Sequence, residues 1–295
     1  MNERIQRIVR NPNRIPVALL SRIARISGVS IPLDVRLTTG GRMRVKLPET
    51  VSVSVAYDGD FEPDVTAMMR LALSDQHFPV FYDIGAHFGL RSIQAHNMRN
   101  GRVRIVAFEP HPDTMTELLY NVSRLSFPPG FGIVCEQQAI GSHLGMVEMT
   151  NFSRQYCGSN TLYQPRLPED VIQSQPQERL LVPQTTLDTY VRQGGPVPTF
   201  MKLDIENGEK EALSGADDVL RKYHPGIAME VGDKGRSDAN STSRCLNLLR
   251  GHGYTFFRVD MASGQLEEVR LTEFSGGRGA TIHCGQDNVM CVYQR

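Results

Sequence analysis

Short apolar runs recur along the chain, each broken by an acid or a glycine and each followed by residues at helical spacing. Val80-Phe-Tyr-Asp-Ile84 is apolar up to Asp83, turns on Gly85 and Gly89, and enters a helix. Val103 to Phe108 is rich in β-branched residues and leads to Glu109-Pro110-His111-Pro112. Met115, Leu118, Leu119, Val122 and Leu125 then share one helical face, and Pro112 suits the first turn. Thr199 to Leu203 is a third strand-like run, with Asp204, Glu206 and Glu209 beyond it. Period-two alternation sets Lys202, Asp204 and Glu206 on one face if the strand extends that far. Glu209, Leu213 and Ala216 belong to the next helix, with Gly215 as a break, and Gly226 to Val231 forms a fourth strand carrying Glu230. Strands alternating with helices specify an α/β protein built on a mostly parallel sheet.

Residues 1–56 differ in character from 57–295, which divides the chain into a basic N-terminal extension and a main domain. Through Lys46 the chain holds ten arginines and lysines against Glu3 and Asp34. Ile15 to Ile26 alternates apolar residues with Arg22 and Arg25 as an amphipathic helix. A helix that covers the main domain is favoured over one lying on an anionic membrane surface, and peripheral membrane contact stays open. Residues 43–47 and 51–55 alternate apolar and polar side chains, which predicts a β-hairpin around Pro48-Glu49-Thr50 and a further helix from about Asp64. No apolar run approaches the ~18 residues of a membrane span. Charges and Pro16 interrupt what would be the apolar core of a secretory signal, so a cytoplasmic protein is expected. The polar segment 151–178 is too long for an ordinary connection and is expected to shape a binding site.

Composition narrows the classes. Lysine and arginine number 32 against 32 acids, so no global field favours nucleic acid, and none is expected as partner. The five cysteines, 135, 157, 245, 284 and 291, are odd in number and form no Cys-x-x-Cys pair, which fits reduced thiols. The eight histidines lack metal-binding spacing. Asn121-Val-Ser and Asn240-Ser-Thr match the glycosylation pattern but fall on predicted helices.

The chemistry concentrates at the strand ends. In an open parallel sheet, ligands sit at the carboxyl ends of strands, and glycines in the first strand-to-helix turn let backbone approach them. The position two before Gly85 is an acid, where the dinucleotide fingerprint has glycine. An anion there repels a pyrophosphate and suits a cationic head, such as the amino group and sulfonium of S-adenosylmethionine. Glu109 lies about 24 residues after Gly85, near the spacing of the acid that bonds ribose hydroxyls. Charges close to the buried strand at Lys202 and Asp204 are costly unless they pair or work.

The order Asp-Ile-Gly-Ala-His-x-Gly-x-x-Ser from Asp83, Ala-Phe-Glu-Pro-His-Pro, Thr-Thr-Leu-Asp-Thr-Tyr at 185–190, Met-Lys-Leu-Asp-Ile-Glu and Met-Glu-Val at 229–231 resembles the FkbM-type methyltransferases over residues 57–259. The resemblance implies S-adenosylmethionine as cofactor and a class I methyltransferase (Rossmann-like), doubly wound fold, here extended by the N-terminal helix and hairpin. It also implies O-methylation of sugars or natural-product hydroxyls. Carried over by motif, Asp83, Gly85, Ala86, His87, Gly89 and Ser92 form the cofactor loop, Glu109 and Pro110 the ribose-binding corner, and Asp204 and Glu206 the acidic strand end. His87 and Asn207 depart from the Asn and Gly common in the family. Methyl transfer rests on holding donor and acceptor together and on taking the acceptor proton. Asp204 is the first candidate base, with Lys202 or His87 tuning or replacing it. A divalent metal on Asp204 and Glu230 is the alternative and is not expected. A glycan or small-molecule acceptor is expected. A nicotinamide oxidoreductase and a non-catalytic binding protein of the same fold are the competing readings.

Overall fold

Helical spacing of apolar residues over Arg14–Ser27 produces α1 in the computed structural model, which describes residues 14–74, 76–152, 161–162, 173, 178–231, 242–269 and 287–294. Val17, Leu20 and Ala24 pack beneath α1 against Leu33 and Leu47. An antiparallel hairpin follows, β1 (Ile31–Arg36) and β2 (Arg42–Leu47), with Ile31 opposite Leu47 and Arg36 opposite Arg42. The hairpin expected around Pro48-Glu49-Thr50 is therefore displaced by one strand, because residues 51–55 lie in helix α2 (Thr50–Asp58). Two local causes decide this. Gly40 and Gly41, both at positive φ, make the true turn. Glu49 is buried, and its carboxylate accepts the N–H groups of Val51 and Ser52, capping a helix where alternation alone suggests a strand. Helix α3 (Pro63–Ser74) begins at the residue before Asp64.

The main sheet grows from alternating strands and helices: β3 (Val80–Ile84), α4 (Leu90–Met98), β4 (Arg104–Phe108), α5 (Pro112–Val122) and β5 (Gly132–Glu136). Next, β6 (Ala139–Ile140), β7 (Gly145–Asn151) and β8 (Glu178–Thr185) make a separate three-stranded sheet. The chain then continues through α6 (Leu187–Arg192), β9 (Phe200–Leu203), α7 (Glu209–Ser214), α8 (Asp217–Tyr223), β10 (Gly226–Val231), α9 (Thr242–Gly251), β11 (Tyr254–Val259), β12 (Leu266–Glu268) and β13 (Asp287–Tyr293). The eight strands lie in the order β12-β11-β13-β10-β9-β3-β4-β5; β10, β9, β3, β4 and β5 are mutually parallel, and β13 runs antiparallel between β10 and β11. This is the doubly wound class I methyltransferase arrangement expected from the sequence. Strand order reverses between β3 and β9, which opens a crevice at their carboxyl ends.

Both faces of the central strands β3, β4, β9 and β10 are buried, which explains their near-continuous apolar runs. Phe81, Ile105 and Phe200 meet Val65, Met68, Met69 and Leu73 of α3. Tyr82, Val106, Met201 and Ile227 meet Leu213, Leu220, Leu246 and Leu249 on the other side. In α5, Met115, Leu118 and Val122 face the core, but Leu119, expected with them, is exposed, being one residue and 100° round from Leu118. Asn121 is buried, and its side chain is engaged by the backbone of Arg44 and Phe88, so its glycosylation pattern is coincidental. Asn240 and most of 151–178 lie outside the described residues. Cys135, Cys245 and Cys291 are free thiols; Cys157 and Cys284 are outside the described residues. Among the described residues no helix is long and apolar enough to cross a membrane.

Candidate functional site

A cavity of about 290 Å³ opens at the strand-order reversal. Gly85, Ala86 and His87 line it from the β3–α4 turn, Glu109 and Pro110 from the end of β4, and Lys202, Asp204, Ile205 and Glu206 from the end of β9. The turn is shaped by Gly85, at φ +80, whose added Cβ would lie 2.0 Å from the carbonyl oxygen of Asp204. Its N–H and that of Ala86 donate to the carbonyl of Phe108, tying the turn to β4. Glu109 sits against this turn: Oε2 accepts the N–H of His87 at 2.9 Å, and Oε1 accepts the N–H of His111 at 3.0 Å. Burial lifts the Glu109 carboxyl to about 7, against the opposing pull of those two bonds. Each oxygen keeps a lone pair for a further donor.

Asp83, Gly89 and Ser92 stand behind the cavity wall. Asp83 is fully buried; Oδ2 accepts the hydroxyl of Ser92 at 2.7 Å, and Oδ1 has no hydrogen-bond partner. Burial raises its pKa, opposed by Lys202 and Ser92. Gly89 begins α4 at φ +88, where a Cβ would meet Leu118 at 2.7 Å, so it sets the packing of α4 on α5. Register places Lys202 directly beside Asp83. Its ammonium donates to the carbonyl of Gly85 at 3.1 Å and pairs with Asp204 at 3.0 Å. Burial works against that charge, but Asp204 and Asp83 outweigh it and leave the pKa above the ordinary lysine value. Burial lowers the pKa of His87, whose ring stacks on Phe88, so the imidazole is neutral near pH 7. The extended strand expected to put Lys202, Asp204 and Glu206 on one face ends at Leu203, and the backbone turns at Glu206 and Asn207, at φ 53 and 75, yet all three charged residues line the cavity. Asn at 207 tolerates the left-handed region that Gly commonly fills.

A family model described as the methyltransferase FkbM domain matches residues 83–256. The chain belongs to that family. No curated protein matches it. Similar solved structures include the methyltransferase FkbM of Methylobacillus flagellatus, at 15% identity and TM-score 0.46, covering 82% of this chain and 52% of that one. The chain thus spans about half the length of that protein. A SAM-dependent methyltransferase of Agrobacterium tumefaciens has 7% identity and TM-score 0.45, covering 90% and 70%. A SAM-dependent O-methyltransferase of Thermotoga maritima has 9% identity and TM-score 0.40, covering 89% and 78%.

The FkbM family and its fold imply S-adenosylmethionine, and the residues present fit a cationic ligand. Glu49, Glu62, Glu109, Asp204, Glu206 and Glu230 all line the cavity, and its two lining cations are already paired, Lys202 with Asp204 and Arg91 with Glu62 at 3.0 Å. Glu109 offers the acceptors a ribose diol needs. Carboxylate oxygens of Asp204, Glu209 and Glu230 lie within 4.8 Å of one another. In the 185–190 motif, Asp188 accepts the N–H groups of Asp218 and Val219, so this residue of the FkbM signature starts α8. Glu49, Glu62, Arg91, Ile140 and Met149 line the cavity as well, outside the motifs at the strand ends. An arginine among the apolar residues that open α4 was the available signal for Arg91; Ile140 and Met149 come from the small sheet, whose strands carry only short apolar stretches.

Proposed function

We propose that this FkbM domain binds S-adenosylmethionine at the β3–β4–β9 crevice and methylates a hydroxyl oxygen of a sugar or other polyhydroxylated small molecule. One observation carries the reading: Glu109, fixed by two backbone N–H groups, presents its remaining acceptor positions to a cavity at the strand-order reversal. When bound there, S-adenosylmethionine would supply an electrophilic methyl group, carried on a sulfonium, to the acceptor oxygen. Glu109 holds the ribose hydroxyls. Asp83, through Ser92 and Lys202, positions the turn that carries Gly85, Ala86 and His87. Asp204, half-buried on the cavity wall, takes the proton that the acceptor hydroxyl loses, and the Lys202 ammonium at 3.0 Å fixes its orientation. Water exclusion falls to the apolar wall of Ile140, Met149 and Leu162. The predominance of carboxylates favours neutral or cationic acceptors over phosphorylated ones.

Titration calorimetry with S-adenosylhomocysteine tests the site. Micromolar-range affinity is expected in the native protein and loss of at least about tenfold in Asp83→Ala and Glu109→Ala; tight binding retained by both sinks the assignment. NAD(H), titrated beside it, is expected not to bind, because the carboxylates that line the cavity and the glycine spacing of the turn disfavour a pyrophosphate. Methyl-donor turnover against a library of glycans and hydroxylated metabolites identifies the acceptor, with Asp204→Asn expected to lower kcat by about a hundredfold while cofactor affinity is kept.

A further inference from the structure

Helix α1 is apolar on two opposite sides. Val17, Leu20 and Ala24 face the protein. On the other side Ile15, Leu19, Ile23 and Ile26 are 61%, 59%, 47% and 78% exposed, and Val29 just beyond the helix is 58% exposed. Spacing of four, four and three residues places the four side chains in one stripe along about three turns. Arg22 and Arg25 are exposed along its border, and α1 contains no acid. Exposed apolar stripes of this length on a folded protein mark a contact surface.

We infer that α1 docks this protein on an anionic lipid bilayer, its isoleucine and leucine side chains entering the headgroup boundary and Arg22 and Arg25 meeting lipid phosphates. Charge distribution selects this occupant. The chain is neutral overall, with 32 basic and 32 acidic residues, yet the described residues 14–46 hold seven basic against one acidic. Residues 47–295, twenty-two against thirty, carry negative charge. An anionic surface therefore attracts the α1 end and repels the rest, which orients the protein with this stripe inward. A second copy would bring the same arginines face to face, and like charges disfavour that pairing. The docking has a consequence for the site. α1 packs on Val53 and Ala56 of α2, and the first turn of the same helix, Thr50 and Val51, lines the cavity. The helix on which α1 rests is thus also part of the cavity wall.

Co-sedimentation of the full chain with vesicles tests this. One set is phosphatidylcholine alone and the other contains about 30% phosphatidylglycerol, each at low and high salt. Binding is expected to the anionic vesicles at low salt, falling with salt and absent on phosphatidylcholine. Leu19→Glu with Ile23→Glu is expected to lower the partition at least about tenfold, and Arg22→Glu with Arg25→Glu similarly, with circular dichroism and S-adenosylhomocysteine affinity unchanged. If the apolar pair of substitutions unfolds the protein, the arginine pair and the salt series on the native chain decide. Failure of the native protein to sediment with anionic vesicles, or equal partition of native and substituted chains, overturns the inference. So does self-association that the substitutions abolish without any lipid binding.

Discussion

Glu109 is held in an environment that opposes its charge, and that fixes how ligand binding responds to pH. Burial lifts its carboxyl to about 7, whereas a free glutamate titrates near 4.5. Below pH 7 the ligand-free protein carries it mostly protonated. A diol donating two hydrogen bonds favours the carboxylate, lowers its pKa in the complex, and makes binding release a proton. Affinity for S-adenosylhomocysteine is therefore expected to rise with pH, by up to about tenfold per unit below 7, and to level off above it. Calorimetry on either side of pH 7, in buffers of different ionisation enthalpy, reads both slope and proton. Glu109→Gln is expected to flatten the profile; an unchanged slope assigns the proton elsewhere. Gly85 is the other residue on which the site turns. A Cβ there meets the Asp204 carbonyl at 2.0 Å and a backbone φ of +80, so Gly85→Ala is expected to cost at least about 3 kcal/mol in urea unfolding and to abolish cofactor binding.

Asn121 joins three elements. It accepts the N–H of Arg44 in β2 and donates to the carbonyls of Arg44 and of Phe88 before α4, while Arg44 and Lys46 both pair with Glu117 of α5. Asn121→Ala leaves two carbonyls and an N–H of that junction without this partner, and is expected to lower stability by about 2–3 kcal/mol in urea unfolding. Glu117 is buried beneath Arg44 and Lys46, and Glu117→Gln, which keeps an acceptor for both cations and leaves them partly exposed to water, is expected to cost less. Elements of this kind mark the boundary of what sequence pattern conveys. The strands β3, β4, β9 and β10 are legible because burial on both faces leaves near-continuous apolar runs with acids at or near their ends. Their helices are legible because one side packs, as Met115, Leu118 and Val122 show. The hairpin is misplaced by one strand because Val51, Val53 and Val55 alternate as a strand would, whereas the turn at Gly40 and Gly41 and the helix caps at Glu49 and Gly59 make them helical. The cavity's small-sheet wall is not legible, since Ile140 and Met149 reach the site through pairing of β6, β8 and β7, which no local pattern encodes.

Across the whole molecule, the cavity touches elements that the chain visits far apart. The β3 turn, the β4 end and the β9 end meet there, with α2 from the N-terminal region and the small sheet on the rim. Charge works against this convergence in the free protein, because six carboxylates face one space and burial already raises Glu62 as well as Glu109. A ligand that brings an ammonium group to these carboxylates and hydroxyl donors to Glu109 relieves part of that repulsion and joins the elements at once, so it stabilises the native state and not the unfolded chain. Linkage sets the size of the effect: at about 100-fold excess over its dissociation constant a ligand contributes about 2.7 kcal/mol. Unfolding entropy of about 2.1 cal/mol/K per residue, over a chain of 295 residues, converts this to a rise in Tm of about 4 °C. Scanning calorimetry with S-adenosylhomocysteine is expected to show that shift in the native protein and in Asp204→Asn, and to lose it in Glu109→Ala. NAD(H) at the same concentration is expected to leave Tm unmoved. A shift with NAD(H) and none with S-adenosylhomocysteine would reverse the choice of ligand while leaving the crevice as its place, since strand order fixes where a ligand sits and the carboxylates fix which charge it carries.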